Sequence, residues 1–345
     1  MRLRILLIMD PFIRVPPEHY GGIERVIADV ADGLHRRSHE VTLWAAPSSQ
    51  TAVTVEPFGR EGEWTRWSNL RNTASLTARF WSRPGRFDVI HNFGRLAYLI
   101  GILRSKVPKV QTYMRQVNPN NMRRVLRLGG RHIRFTAVSR AIRDTGAPGG
   151  GPWEVVYNCV PIEQYHLRTD VDPSTAPLVF LGRLESIKGV HNAIAVAKAT
   201  HRKLIIAGNR VATADGRRYF ERQIAPYLDG KQIVWVGPVN DGQKDAVLGA
   251  AAALLMLIEW DEPFGIVMPE AFACGTPVVG FARGSVPEVI RNGINGYVCR
   301  TVDDATAAIC KLSEIDRSAV RADCEARFSD RAITASYERL YLEMI

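Results

Sequence analysis

The sequence predicts an α/β protein of two domains, each a parallel sheet flanked by helices, and three observations carry that prediction. Short β-branched or aliphatic runs alternate with longer helical patterns, which is how strand-helix-strand units read in sequence. With 345 residues and a hydrophobic content of 46%, the chain can bury two cores of ordinary size. A polar stretch from Thr169 to Pro177, interrupted by Pro173 and without an apolar period, separates two sets of strand-like runs.

Taken in order, strands are expected at residues 3–9, 40–44, 89–91, 109–112, 135–138 and 154–156, then at 178–181, 203–207, 233–236, 253–257, 277–280 and 296–298. Residues 165–177 read as the linker, giving domains 1–165 and 166–330, and residues 331–345 carry a closing helical pattern. The first apolar run is broken by Arg4 and stopped by Asp10, too short for a signal peptide. The longest apolar stretch, 247–258, falls well short of the ~20 residues that span a bilayer. Five cysteines, an odd number without Cys-x-x-Cys spacing, read as reduced thiols. The expected location is therefore cytoplasmic.

Charge is unevenly spread. Residues 1–170 hold 25 Lys and Arg against 14 Asp and Glu, whereas 171–345 are nearly balanced at 20 against 21. Eight arginines between Arg115 and Arg143, including Arg123, Arg124 and Arg127, have no intervening acid. Such a stretch suits an acidic acceptor or peripheral contact with an anionic membrane at its inner face, with a solvated helix surface as the plain alternative. Nucleic acid is not among the expected partners.

The richest chemistry lies in Glu259-Trp-Asp-Glu-Pro-Phe-Gly-Ile-Val-Met-Pro-Glu, where an apolar strand runs into a helix expected to begin near Phe264. Amides of Phe264, Gly265 and Ile266 would then meet an anion beyond the carboxyl end of a parallel strand. Glu262 and Glu270 flank that turn, and carboxylates suit the vicinal hydroxyls of a sugar or ribose. In Phe180-Leu-Gly-Arg-Leu-Glu-Ser-Ile-Lys-Gly, Arg183 and Lys188 flank another strand-to-helix turn opened by Gly182. Two cations there can neutralise a diphosphate. Gly21 and Gly22 open the helix carrying Val26, Ile27, Val30 and Leu34, and would admit phosphate or a sugar ring to the backbone. His91, after a strand, and His19, in the loop before Gly21, are lesser candidates for contact with an acceptor.

The succession of Gly-Gly-x-Glu at 21–24, Phe87-Asp-Val-Ile-His, Ala137-Val-Ser, Val155-Val-Tyr-Asn-Cys-Val, Leu-Gly-Arg-x4-Lys-Gly and Glu-x7-Glu resembles the retaining glycosyltransferases of family 4 over nearly the whole chain. Cys274-Gly-Thr-Pro-Val-Val, Gly284-Ser-Val-Pro-Glu-Val-Ile and Asn292-Gly-Ile-Asn-Gly-Tyr-Val complete it. The resemblance implies two Rossmann-like domains facing across a cleft, the GT-B fold, with the C-terminal helix crossing back to the first. It implies transfer of a hexosyl group from a UDP- or GDP-sugar to a sugar, lipid or small-molecule acceptor, with retention and with no metal or cofactor. Residues 1–165 would then be the acceptor side and 166–330 the donor side. It further implies that Arg183 and Lys188 hold the donor diphosphate, Glu270 the ribose, Glu262 with Phe264–Ile266 the sugar, and that Gly22 lines the donor.

Three departures qualify the resemblance. Met114 stands where such enzymes often carry a histidine near the reacting carbon, leaving Tyr113 or Arg115 to take its place. Asn158-Cys-Val-Pro replaces Asn-Gly-Val-Asp. Asp170-Val-Asp172 imitates a metal-binding Asp-x-Asp but lies in the polar stretch and not at a strand end. Competing readings are a nucleotide-sugar epimerase of the same fold and a non-catalytic nucleotide-sugar-binding protein. A dinucleotide oxidoreductase is disfavoured because no Gly-x-Gly-x-x-Gly follows the first strand.

Overall fold

Uncharged aliphatic runs become the central strands of two parallel sheets in the computed structural model, which describes residues 1–18, 21–62 and 64–345. The chain divides into one unit of Met1–Cys159 with Asp330–Ile345 and another of Val160–Ser329.

The first unit holds β1 (Arg4–Ile8), α1 (Gly22–Arg36), β2 (Glu40–Ala45), β3 (Thr54–Pro57), α2 (Arg66–Trp81), β4 (Val89–Asn92), β5 (Lys109–Tyr113), α3 (Pro119–Arg127), β6 (Ile133–Ala137), α4 (Arg140–Gly146) and β7 (Trp153–Val155). Strand order is β3-β2-β1-β4-β5-β6-β7, with every pairing parallel. β3 was not expected. It is a short, half-exposed edge strand ending in Pro57, so it lacks the buried alternation that reveals a strand in sequence.

α1 buries Val26, Ile27, Val30 and Leu34, the helical stripe legible in the sequence. The C-terminal helix Asp330–Leu342 packs on α1, with Thr334 so close to Gly33 that a Cβ there would lie 2.3 Å from its hydroxyl. Arg36 donates to Asp330 at 2.6 Å, and Glu338 accepts from Arg37 and pairs with His39 at 2.8 Å. Deeper in, His91 is fully buried and held at both ring nitrogens, by Tyr341 at 2.5 Å and Thr112 at 2.6 Å, with Phe93 and Tyr337 against its ring. Burial drives its pKa well down, so the ring is neutral.

The second unit holds β8 (Leu178–Leu181), α5 (Val190–Ala199), β9 (Leu204–Ala207), α6 (Ala214–Gln223), β10 (Ile233–Gly237), α7 (Asp241–Gly249), β11 (Ala253–Met256), α8 (Val267–Ala273), β12 (Val278–Phe281) and β13 (Gly296–Cys299). Its order is β10-β9-β8-β11-β12-β13, again parallel throughout. Leu178, Ala193, Ile194, Leu204, Ile206 and Ala253 form part of its core.

The expected linker is corrected by this division. The change of unit falls between Cys159 and Val160, and residues 165–177 belong to the second unit. Their polar side chains find partners there: His166 and Arg168 pair with Asp245 at 3.2 and 3.1 Å. Asp172 spends its carboxylate on its own turn, accepting from Ser174 and Thr175.

Candidate functional site

In each sheet the strand order reverses direction once, and loops leaving the two strands at that point splay apart to open a crevice at their carboxyl ends. In the second unit the reversal lies between β8 and β11. The loop after β8 carries Gly182, Arg183 and Lys188, and the loop after β11 carries Glu262 and Phe264–Ile266. The fold therefore gathers motifs some 75 residues apart in sequence.

The two loops are fastened to each other. Lys188 ends a short 3-10 turn, Ser186–Lys188, and Gly189 follows at φ +71°, where a Cβ would come within 1.8 Å of the Leu257 carbonyl. Only glycine fits there. The amide of Glu259 donates to the carbonyl of Ile187 at 2.9 Å, continuing the join.

Both glutamates are held in the same way. Glu262 Oε2 accepts from Lys188 Nζ at 2.6 Å and from Trp260 Nε1 at 2.9 Å. Glu270 Oε1 accepts from Lys244 Nζ at 2.6 Å and from the Tyr165 hydroxyl at 3.0 Å. In each case an ammonium and a ring-borne donor converge on one oxygen, leaving the other, among the described residues, available to a hydroxyl donor. Both pairs are largely buried, so the charge-assisted bonds are short and removal of either partner leaves an uncompensated charge. The Lys188 ammonium also lies 4.6 Å from the Trp260 ring centroid. Burial, then the charge of Glu270, pushes the Tyr165 hydroxyl pKa far up, so it stays a donor.

Arg183 differs in being exposed, its guanidinium 2.7 Å from Glu185. The helix expected to begin near Phe264 begins at Val267, because Phe264, Gly265 and Ile266 form the preceding turn. Gly265 sits at φ +75°, a conformation L side chains resist. Phe264 turns its ring inward against Phe328, while Ser285 fixes the turn by donating its amide to the Glu262 carbonyl and its hydroxyl to the Phe264 carbonyl, both at 2.9 Å.

Lys244, Tyr165 and Trp260 were not singled out from sequence. Trp260 lies between Glu259 and Glu262 in the strand-to-helix motif, where an indole reads as a packing residue. Tyr165 sat at the start of the supposed linker. Lys244 is a solvent-type residue inside α7, and nothing in its neighbourhood marks it.

In the first unit the reversal lies between β1 and β4. Gly21 caps α1 without a side-chain bond, Gly22 begins the helix, and a Cβ at Gly21 would come within 2.8 Å of the Glu24 carboxylate and of Pro17. Asp10, just beyond β1, accepts from the Tyr98 hydroxyl at 2.8 Å. Burial raises the pKa of both Asp10 and Glu24. The Tyr98 bond and Arg95 oppose it at Asp10, and a backbone bond and Arg115 oppose it at Glu24. Arg115 is exposed. Tyr113 is half-buried, its ring against Phe135 and Trp153 and its hydroxyl on the Met122 sulfur at 3.5 Å. His91 is corrected as an acceptor-facing residue, since full burial and two intramolecular bonds give it a packing role. His19 lies outside the described residues.

Among the described residues no group of three His, Cys, Asp or Glu side chains could hold a metal ion. No helix among them is long and apolar enough to cross a membrane.

Comparison with known proteins follows the same two-part division. Residues 20–164 match the model described as Glycosyltransferase Family 4, and residues 164–327 match that described as Glycosyl transferases group 1. The chain is 31% identical over 173 residues to D-inositol 3-phosphate glycosyltransferase of Mycobacterium marinum, covering 48% of this chain and 36% of that protein. Such curated relatives are matched over about a third of their own length. Among solved structures, AviGT4, a glycosyltransferase involved in avilamycin A biosynthesis, is similar over 99% of this chain and 98% of its own, with 26% identity and a TM-score of 0.73. HepE of Anabaena, in complex with UDP and glucose, shares the fold over the full length of both chains at 19% identity and a TM-score of 0.75.

Proposed function

The chain belongs to the glycosyltransferases of family 4 and group 1, and from that premise we propose that it transfers a hexosyl group from a nucleoside-diphosphate sugar to a sugar, lipid or small-molecule acceptor, with retention and without a divalent ion. One observation supports this reading most: two lysine-glutamate pairs at 2.6 Å at the topological reversal of the second sheet, each glutamate keeping an oxygen for hydroxyl recognition.

The chemistry assigned to these residues follows from charge. When the bond between the anomeric carbon and the donor phosphate breaks, negative charge grows on the departing diphosphate. Arg183 and Lys188 offset it, acting most strongly in the transition state, and the Gly265 turn lets a ligand approach the backbone. Lys188 is already oriented by Glu262, so little reorganisation accompanies reaction. Glu262 receives a hydroxyl of the transferred sugar, and Glu270 the ribose hydroxyls. Within the first unit taken by itself, Gly21 and Gly22 open the backbone at a helix start to a ligand, and Tyr113 and Arg115 belong to the acceptor side.

The test is transfer from a panel of UDP-, GDP-, ADP- and dTDP-sugars to mixed acceptors, starting with UDP-glucose, with the product anomer read by NMR. Turnover that survives EDTA and keeps the donor's anomeric configuration is expected. Turnover abolished by EDTA and restored by magnesium or manganese overturns the metal-free assignment, and an inverted anomer overturns retention. Donor binding without transfer or hydrolysis would favour the binding-protein reading.

A further inference from the structure

The first unit carries an apolar surface that its own core does not use. α2 buries Asn72, Leu76 and Phe80 on one side. Its opposite side presents Trp67 at 79% exposure, Leu70 at 61% and Trp81 at 51%. At 100° per residue these three project within about 60° of one another, so they form a stripe along a helix of roughly 24 Å. An indole is usually among the better buried side chains, and a contiguous exposed stripe of this kind marks an interaction surface.

Topology extends the stripe. α2 leads from β3 to β4, the 3-10 segment Leu96–Ile102 leads from β4 to β5, and α3 leads from β5 to β6, all stepping the same way across the sheet. Right-handed crossovers place the three on one face, with α1, which steps the other way, on the opposite face. Two contacts join them: Trp81 Nε1 donates to the Gly101 carbonyl at 3.1 Å, and Arg104 Nε to the Leu128 carbonyl at 3.4 Å. Ile100 and Leu128, each about half exposed, continue the apolar surface beside those contacts.

Charge selects the occupant. Residues 64–87 contain five arginines and no acid. Arg79, Arg83 and Arg86 turn toward Glu56, while Arg66 and Arg71 stand exposed beside the tryptophans. On α3, Arg123, Arg124 and Arg127 are exposed. An exposed helical face with indoles and leucines flanked by arginines matches the boundary between lipid headgroups and acyl chains, where amphipathic rings settle and cations meet anionic headgroups.

We propose that this face, formed by α2, the 3-10 segment and α3, docks the protein on an anionic lipid bilayer, with Trp67, Leu70 and Trp81 entering the interface and the arginines of α2 and α3 contacting the headgroups. This extends the arginine-rich stretch noted in the sequence to a helix outside it, and it adds the apolar half that charge alone lacks. The proposal is independent of the donor chemistry assigned to the second unit.

The experiment uses the full chain with extruded vesicles of phosphatidylglycerol mixed with phosphatidylcholine, against phosphatidylcholine alone. Co-sedimentation measures partitioning, and tryptophan quenching by brominated lipid reports insertion. Partitioning onto the anionic vesicles only is expected, weakening as salt rises. Trp67→Ser with Leu70→Ser should lower the partition coefficient about tenfold or more and reduce the quenching of the remaining indole on the stripe, Trp81. Arg124→Gln and Arg127→Gln should each lower it about fivefold. Thermal melting and donor-induced thermal shift should be unchanged in all of these variants, which separates failure here from failure of the transferase reading. Absence of wild-type partitioning, or partitioning unaffected by Trp67→Ser with Leu70→Ser, overturns the proposal. A dimer without lipid, abolished by that same pair of substitutions, assigns the face to a second copy and overturns it as well.

Discussion

Carboxylates near the reversal points of the two sheets are treated in opposite ways. In the second unit Glu262 and Glu270 each receive an ammonium at 2.6 Å and a second donor on the same oxygen. In the first unit Asp10 meets the looser Arg95 at 3.5 Å and the Tyr98 hydroxyl, and burial outweighs the opposing arginines to raise the pKa of both Asp10 and Glu24. Asp29, on the same helix as Glu24, is raised further, to about 7. The second unit presents charge balanced by partners already in place. In the first, burial raises the carboxyl pKa values. The short lysine-carboxylate pairs proposed to serve a diphosphate lie in the second unit, while sensitivity to pH is expected at Asp29 in the first.

The largest test of this contrast removes the cations. Lys188→Ala and Arg183→Ala should each lower turnover by ~10²- to 10³-fold, and more than they weaken binding of the intact donor. Lys188→Ala also leaves Glu262 without its ammonium, so its folded stability should be checked by melting; Arg183, exposed, carries no such complication. Near-normal kcat in Arg183→Ala would break the assignment.

A second test belongs to the first unit. Burial is the main cause raising Asp29, with the charges of Asp330 and Asp32 adding to it and Arg36 and Arg25 opposing. For an acid raised on folding, the unfolded chain ionises first. The penalty is absent below about pH 4, grows by up to ~1.4 kcal/mol per pH unit toward pH 7, and is complete above it. Asp29→Asn should therefore gain stability over the wild type as pH rises from 4 to 7, then run parallel. A difference that does not vary with pH would show that Asp29 is not held protonated.

Much of this was legible in the sequence, and the failures share a cause. The twelve expected strands correspond to twelve of the thirteen found among the described residues, because buried parallel strands are short aliphatic runs bounded by breakers. β3 escaped because an edge strand with Glu56 and Pro57 has no such signal. Gly182, Arg183, Lys188, Glu262 and Gly265 were legible because each sits at the carboxyl end of a strand in a contiguous motif. Lys244 and Tyr165 were not, since they reach Glu270 from α7 and from a segment whose polarity resembles a linker. His91 misled for the opposite reason. A histidine at a strand end looks like a site residue until Tyr341, 250 positions later, returns to hold its ring.

The smallest expected effect is the most specific to Glu270. Lys244 and Tyr165 both use Oε1, so the ribose recognition proposed for Glu270 would fall to Oε2. Two substitutions then separate recognition from support. Glu270→Ala removes both oxygens and should weaken nucleotide binding by about 1–3 kcal/mol, the usual worth of hydrogen bonds to a charged group. Lys244→Met leaves the carboxylate in place and removes only the group that orients it, so its loss of affinity should be smaller. Its stability should fall instead, because a buried carboxylate would have lost its ammonium. Isothermal titration with UDP and GDP, run beside thermal melts, measures both quantities. The comparison sharpens further with the 2′-deoxynucleotide, which lacks one of the two hydroxyls. Wild-type protein should bind it more weakly than the ribonucleotide, whereas Glu270→Ala should bind the two alike. Equal discrimination in the variant would place ribose recognition elsewhere and leave Glu270 as a purely structural partner of Lys244.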